Sequence, residues 1–191
     1  MKANEQQLSE RFHVCAARLS ARNAEHCFLH GHQTACTRCS FDQRSAPTAK
    51  ENGRSVHFRT NCQKMLLLRR LDGCIFPSTP PRESKRRCDY IALEDETKAC
   101  WLIELKGSSY ADACDQLEQS CRRLDGCELW RGIQKLSFVV ALSSGKYATT
   151  KVTERSSSIR RLESLIKSLK ARNIDAKIVK QELRVEIALC P

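Results

Sequence analysis

Three residues in the middle of the chain could do chemistry together: Asp89, Glu104 and Lys106. Asp89 stands in Cys88-Asp89-Tyr90-Ile91-Ala92. The other two stand in Trp101-Leu102-Ile103-Glu104-Leu105-Lys106-Gly107, after an eight-residue connection. Side chains alternate along a strand, so Glu104 and Lys106 share one face while Ile103 and Leu105 enter the other. A hairpin over residues 87–106 would set Asp89 beside them at its open end. Two carboxylates suit Mg²⁺, a hard cation that takes oxygen ligands and keeps several waters. Such a metal polarises a phosphoryl oxygen and lowers the pKa of an attacking water. A neighbouring ammonium positions that water and offsets charge developing in the transition state. This is the set of groups that phosphodiester hydrolysis needs.

The acid-x-lysine triplet by itself carries no weight, because the chain also contains Glu83-Ser84-Lys85, Glu96-Thr97-Lys98 and Asp175-Ala176-Lys177. The first falls in a proline-rich loop and the second in a turn. The last opens a late strand with no acid-bearing strand just before it. Only Glu104-Leu105-Lys106 ends an apolar strand with an aspartate strand upstream. The plainer reading of each residue alone is a surface charge paired with Arg86, Arg87 or Lys106.

The elements that would carry these residues follow from periodicity. Leu8, Phe12, Cys15 and Leu19 mark an amphipathic helix over 5–22. Residues 23–54 are polar and read as an insertion or long loop. Strands are expected at Ser55–Thr60, within the apolar stretch Met65–Phe76, at Arg87–Leu93 and at Ala99–Lys106, with a polar turn at 94–98. Cys114, Leu117, Cys121 and Leu124 give a helix over Tyr110–Leu124, stopped by Asp125-Gly126. Leu136–Leu142 is apolar enough to be a strand buried on both faces. Ser156-Ser157-Ser158 can cap a helix with the stripe Ile159, Leu162, Ile166 and Leu169. Strands at Ala176–Val179 and Leu183–Leu189 close the chain. The order predicts one α/β domain over 1–191, a mixed sheet flanked by helices.

A formal net charge of +11 over 191 residues points to a polyanionic partner, although solubility alone would also account for it. Between Ser144 and Lys180 ten Lys or Arg residues face three acids. Clustered cations of this kind release counterions from a phosphate backbone. Lys85, Arg86 and Arg87, directly before Asp89, and Lys146, Lys151 and Arg155 are the candidate nucleic-acid contacts. The plainer reading of the latter three is a solvated loop and helix face. No apolar run is long enough for a membrane span and none resembles a signal peptide, so the chain reads as cytoplasmic.

Most of the twelve cysteines fit small core positions as reduced thiols. Cys27, His30, Cys36 and Cys39 form the one cluster with zinc-like spacing. A structural Zn²⁺ there would order the insertion; ordinary loop residues or buried thiols are the competing reading.

Residues 62–120 resemble the PD-(D/E)XK nuclease superfamily, and within it small uncharacterised bacterial members. The likeness runs through Asp72-Gly73-Cys74-Ile75, Cys88-Asp89-Tyr90-Ile91, Leu102-Ile103-Glu104-Leu105-Lys106-Gly107 and Ala113 to Gln116-Leu117. It implies a restriction-endonuclease-like fold, a metal held by Asp89 and Glu104 with the Leu105 carbonyl, Lys106 as catalytic lysine, and Gln116 turned back toward the site. It also implies Mg²⁺ or Mn²⁺ as cofactor and nucleic acid as substrate, with DNA favoured, and a place in bacterial defence or restriction. Ser120 stands where members with a Gln-x-x-x-Tyr element carry tyrosine. Glu10 is the candidate for a glutamate that many members carry on their first helix. A homodimer or an accessory protein is compatible with the likeness. The rival readings are an inactive nucleic-acid-binding or partner-docking module of the same fold, and a zinc-binding interaction protein.

Overall fold

The computed structural model describes residues 48–59, 66–71, 87–94, 97–106, 109–125, 132–142, 156–182 and 184–188. Within them run β1 (Thr48–Glu51), β2 (Arg54–Arg59), β3 (Leu66–Arg70), β4 (Tyr90–Glu94), β5 (Ala99–Lys106), α1 (Tyr110–Leu124), β6 (Lys135–Leu142), α2 (Ser157–Ala171), β7 (Asp175–Glu182) and β8 (Arg184–Ala188). The expected helix over 5–22 lies outside the described residues.

Five strands form the main sheet in the order β3-β4-β5-β6-β7. The pairs β3–β4 and β4–β5 are antiparallel, while β5–β6 and β6–β7 are parallel. A parallel pair needs a crossover, and α1 and α2 supply the two crossovers. A second, smaller sheet runs β1-β2-β8, with β2 and β8 parallel. The chain is therefore mixed α/β with two mixed sheets.

The main sheet has an apolar layer on each face. Cys100, Leu102, Leu136, Phe138 and Val140 meet the helix stripes, including Cys114, Leu117, Cys121 and Leu124 of α1. Trp101, Ile103, Leu105, Val139 and Ala141 meet Ala49, Val56, Phe58 and Val185 of the small sheet. Phe58 and Trp101 contact edge to face at 5.4 Å and 75°, worth about 0.5–1.5 kcal/mol beyond their buried area. Burial on both faces explains why β5 and β6 are almost continuously apolar.

The helices start and stop for local reasons. Ser109 caps α1, its hydroxyl accepting from the Asp112 N–H at 3.2 Å, and Arg122 and Arg123 stand in the last turn. In α2 the buried stripe is Ile159, Leu162, Leu165 and Leu169, so Leu165 takes the inward position expected of Ile166. Ser156 is at the N-cap as expected, but its side chain makes no cap bond. Arg161 ties the two helices, 2.5 Å from Asp115 and 3.9 Å from the buried Glu118.

Two departures from the expected elements matter for the site. The end of the polar segment 23–54 is the strand β1 and a turn into β2, where the composition predicts a loop. Asn52 and Gly53, with φ of 46° and 78°, suit the two-residue hairpin turn that an Asn-Gly pair favours. In addition, β4 begins at Tyr90 and includes Glu94, whereas the pattern predicts Arg87–Leu93. The Glu94 carboxylate accepts the Thr97 N–H at 3.0 Å and thereby closes the turn into β5.

Candidate active site

The site is built at the end of the β4–β5 hairpin. Tyr90 pairs with Ile103, so one further step along the register sets Asp89 opposite Glu104. The ladder stops there, because β4 starts at Tyr90. Asp89 makes up for the loss: its Oδ2 accepts the Leu105 N–H at 2.7 Å, and its carbonyl accepts the Leu71 N–H at 2.8 Å. The N–H and C=O of a strand residue point to the same side, so the Leu105 carbonyl is also directed toward this open end. In a continued ladder its partner would be Cys88, whose N–H is instead given to Ser120 Oγ at 2.8 Å.

Glu104 and Lys106 share the helix-side face. The Glu104 side chain is 3% exposed, with Oε1 3.8 Å from Lys106 Nζ. Its Oε2 is buried and has no hydrogen-bond partner among the described residues. Lys106 Nζ donates to Gln116 Oε1 at 2.6 Å. Gln116 Nε2 donates to the Arg87 carbonyl at 2.8 Å. The glutamine thus bridges the lysine to the segment that leads into Asp89.

Gln116 and Ser120 are one helical turn apart, so α1 grips that segment twice. Ser120, where a tyrosine would stand in the Gln-x-x-x-Tyr element, serves here as a buried acceptor. Ser120→Ala is expected to leave the Cys88 N–H unpaired and to cost about 1–3 kcal/mol. A urea titration should show the lowered midpoint with an unchanged slope.

A third carboxylate, missed in the sequence, joins the pair. Glu51, the last residue of β1, lies within hydrogen-bonding reach of Asp89 and 3.3 Å from Arg70 Nη2. The signal that could have found it is the Asn52-Gly53 pair just after it.

The electrostatics follow from burying acids together. Burial pushes the Asp89 carboxyl up to about 7, with Glu51 adding to the rise and the Leu105 N–H and Arg70 opposing it. Burial also pushes Glu104 up to about 9, Asp89 and Glu51 adding to this and Lys106 opposing it. Buried carboxylates of this kind are costly when ionised and gain from a nearby cation. No ready-made group of three His, Cys, Asp or Glu metal ligands occurs among the described residues. The donors on offer are the Asp89 and Glu104 carboxylates and the Leu105 carbonyl. Few protein ligands suffice for a cation that retains its waters, and the buried Glu104 Oε2 gives it an oxygen without a competing partner.

The other candidates divide sharply. Arg87, expected to face a phosphate backbone, is only 4% exposed, in a segment whose Arg87 carbonyl and Cys88 N–H are both bonded to α1. Lys85, Arg86, Lys146, Lys151 and Arg155 lie outside the described residues, as do Cys27, His30, Cys36, Cys39, Glu10 and Asp72. Cys88, Cys100, Cys114 and Cys121 are buried free thiols. Burial raises the pKa of each, which suits core packing over nucleophilic work. No helix among the described residues is long and apolar enough to cross a membrane. No family model matches the chain, and no curated protein or solved structure matches it either.

Proposed function

We propose that the chain is a metal-dependent nuclease of the PD-(D/E)XK type, hydrolysing phosphodiester bonds of nucleic acid, with DNA the favoured substrate and bacterial defence or restriction the setting. The observation that carries this reading is the buried Glu104 carboxylate close to Asp89, whose Oε1 lies 3.8 Å from Lys106 Nζ while its Oε2 has no hydrogen-bond partner among the described residues. A stability-driven core has no use for that arrangement, since a buried carboxylate oxygen left without a hydrogen bond is a cost. The antiparallel β3-β4-β5 unit followed by a helical crossover to a parallel β6 supports a restriction-endonuclease-like core.

Asp89 and Glu104, with the Leu105 carbonyl, would hold Mg²⁺ or Mn²⁺. When bound, the ion supplies Lewis-acid polarisation of the phosphoryl group and a more acidic water. Lys106 orients the attacking water and balances charge as it grows on the phosphoryl oxygens. Gln116 keeps the ammonium pointed at the carboxylates by accepting from it while its own amide N–H is anchored on the Arg87 carbonyl. The excess positive charge of the chain draws the polyanion in.

The test is incubation of purified protein with plasmid and single-stranded DNA, with Mg²⁺ or Mn²⁺ against EDTA. Cleavage that needs the metal is expected. No cleavage, together with no Mn²⁺ binding by calorimetry, would replace this reading with the inactive binding module.

A further inference from the structure

We propose that Arg70 is a substrate-binding cation of this site, gripping a backbone phosphate on the side of the carboxylates opposite Lys106; the assignment rests on the nuclease reading above. Arg70 ends β3, paired with Tyr90, which in turn pairs with Ile103. Directly paired residues share a face of the sheet. Tyr90 and Ile103 belong to the layer under the small sheet, whereas Glu104 and Lys106 face the helices. The two cations therefore approach the carboxylates from opposite faces of one sheet end.

The Arg70 guanidinium is held at this place. Nη2 is 3.3 Å from Glu51 Oε1, and its central carbon lies 5.8 Å from the centre of the Tyr90 ring. Its side chain is 27% exposed, close to the 30% of Lys106, so solvent and ligands reach both. Fully ionised, Glu51, Asp89 and Glu104 outnumber Arg70 and Lys106 by one negative charge. A divalent cation reverses that sign. The pull of Glu51 on Arg70 is then shared with the metal, while the local field begins to favour an anion. A guanidinium fork matches phosphate oxygens in a bidentate way that a point charge does not.

The decisive measurement is oligonucleotide affinity across a salt series with Mg²⁺, in a Lys106→Ala background so that the ligand stays intact. Arg70→Gln is expected to weaken binding about tenfold and to flatten the log–log salt slope by about 0.7–0.9, the effect of one lost phosphate contact. Arg70→Lys should keep the slope and lose part of the affinity. Glu51→Gln should leave the slope as it was, and Mg²⁺ affinity by calorimetry should be the same in Arg70→Gln as in the background protein. An unchanged slope in Arg70→Gln, or a fall in its Mg²⁺ affinity matching that of Glu51→Gln, would show that Arg70 only braces Glu51. Failure of the background protein to bind any oligonucleotide would instead remove the nuclease reading and this proposal with it.

Discussion

Lys106→Ala is expected to slow nucleic-acid cleavage about a thousandfold while changing substrate affinity little. Removing one preorganised group that meets developing charge typically costs about 10²–10³ in rate. In the proposed mechanism Lys106 also orients the attacking water, which adds to the expected loss. Its ammonium stands 3.8 Å from Glu104 and 2.6 Å from Gln116, so deletion also leaves Glu104 with less compensation. Gln116→Leu should lose less, about tenfold, because the lysine remains but can swing. Single-turnover rates at saturating substrate separate these effects from binding. Equal rates for wild type and Lys106→Ala would remove Lys106 from the chemistry.

Glu104→Gln should abolish cleavage and make the metal-free protein more stable. The carboxyls of Glu104 and Asp89 sit near 9 and 7, up from ordinary values of 4.5 and 3.8. Between about pH 4 and pH 9 these two groups therefore hold more protons in the folded protein than in the unfolded chain. By linkage their contribution to stability falls as pH rises through that window and levels off above it. A glutamine keeps the shape and has no charge to bury, so the fall should become shallower. At pH 8 the variant should melt roughly 5 °C higher, the scale of about 2 kcal/mol in a domain this size. Mg²⁺ should raise the melting temperature of wild type by selective binding to the folded state and leave the variant unmoved. A variant that melts lower than wild type at every pH, with Mg²⁺ still stabilising it, would show that Glu104 is an ordinary core group.

Much of the architecture could be read from local pattern. β5 and α1 have the expected bounds, Ala99–Lys106 and Tyr110–Leu124, because a long apolar strand and a four-residue stripe leave few alternatives. The opposition of Asp89 and Glu104 followed from counting along a hairpin. What was not legible depends on contacts between distant segments. Arg87 belongs to a basic run and reads as a nucleic-acid contact, yet it is buried. Glu51 lies at the end of a polar stretch, and its one local cue is the Asn-Gly pair after it. The raised pKa values of Asp89 and Glu104 come from several strands acting together, which no single segment encodes.

The parallel pairing of β2 with β8 sets a timetable for the site. Ser55 pairs with Arg184 and Arg59 with Ala188, so the sheet that carries Glu51 closes only when the last described strand is in place. During synthesis the hairpin, Lys106 and Gln116 emerge well before β8. A nascent chain halted at α2 holds Asp89 and Glu104 but has no β8 to seat β2 and the strand beside it. Long-range parallel pairing is also slow to form. The outer carboxylate Glu51 thus depends on the last described strand, and a chain that stops short of β8 carries the Asp89–Glu104 hairpin and Arg70 on β3 without a completed sheet to seat Glu51 beside them.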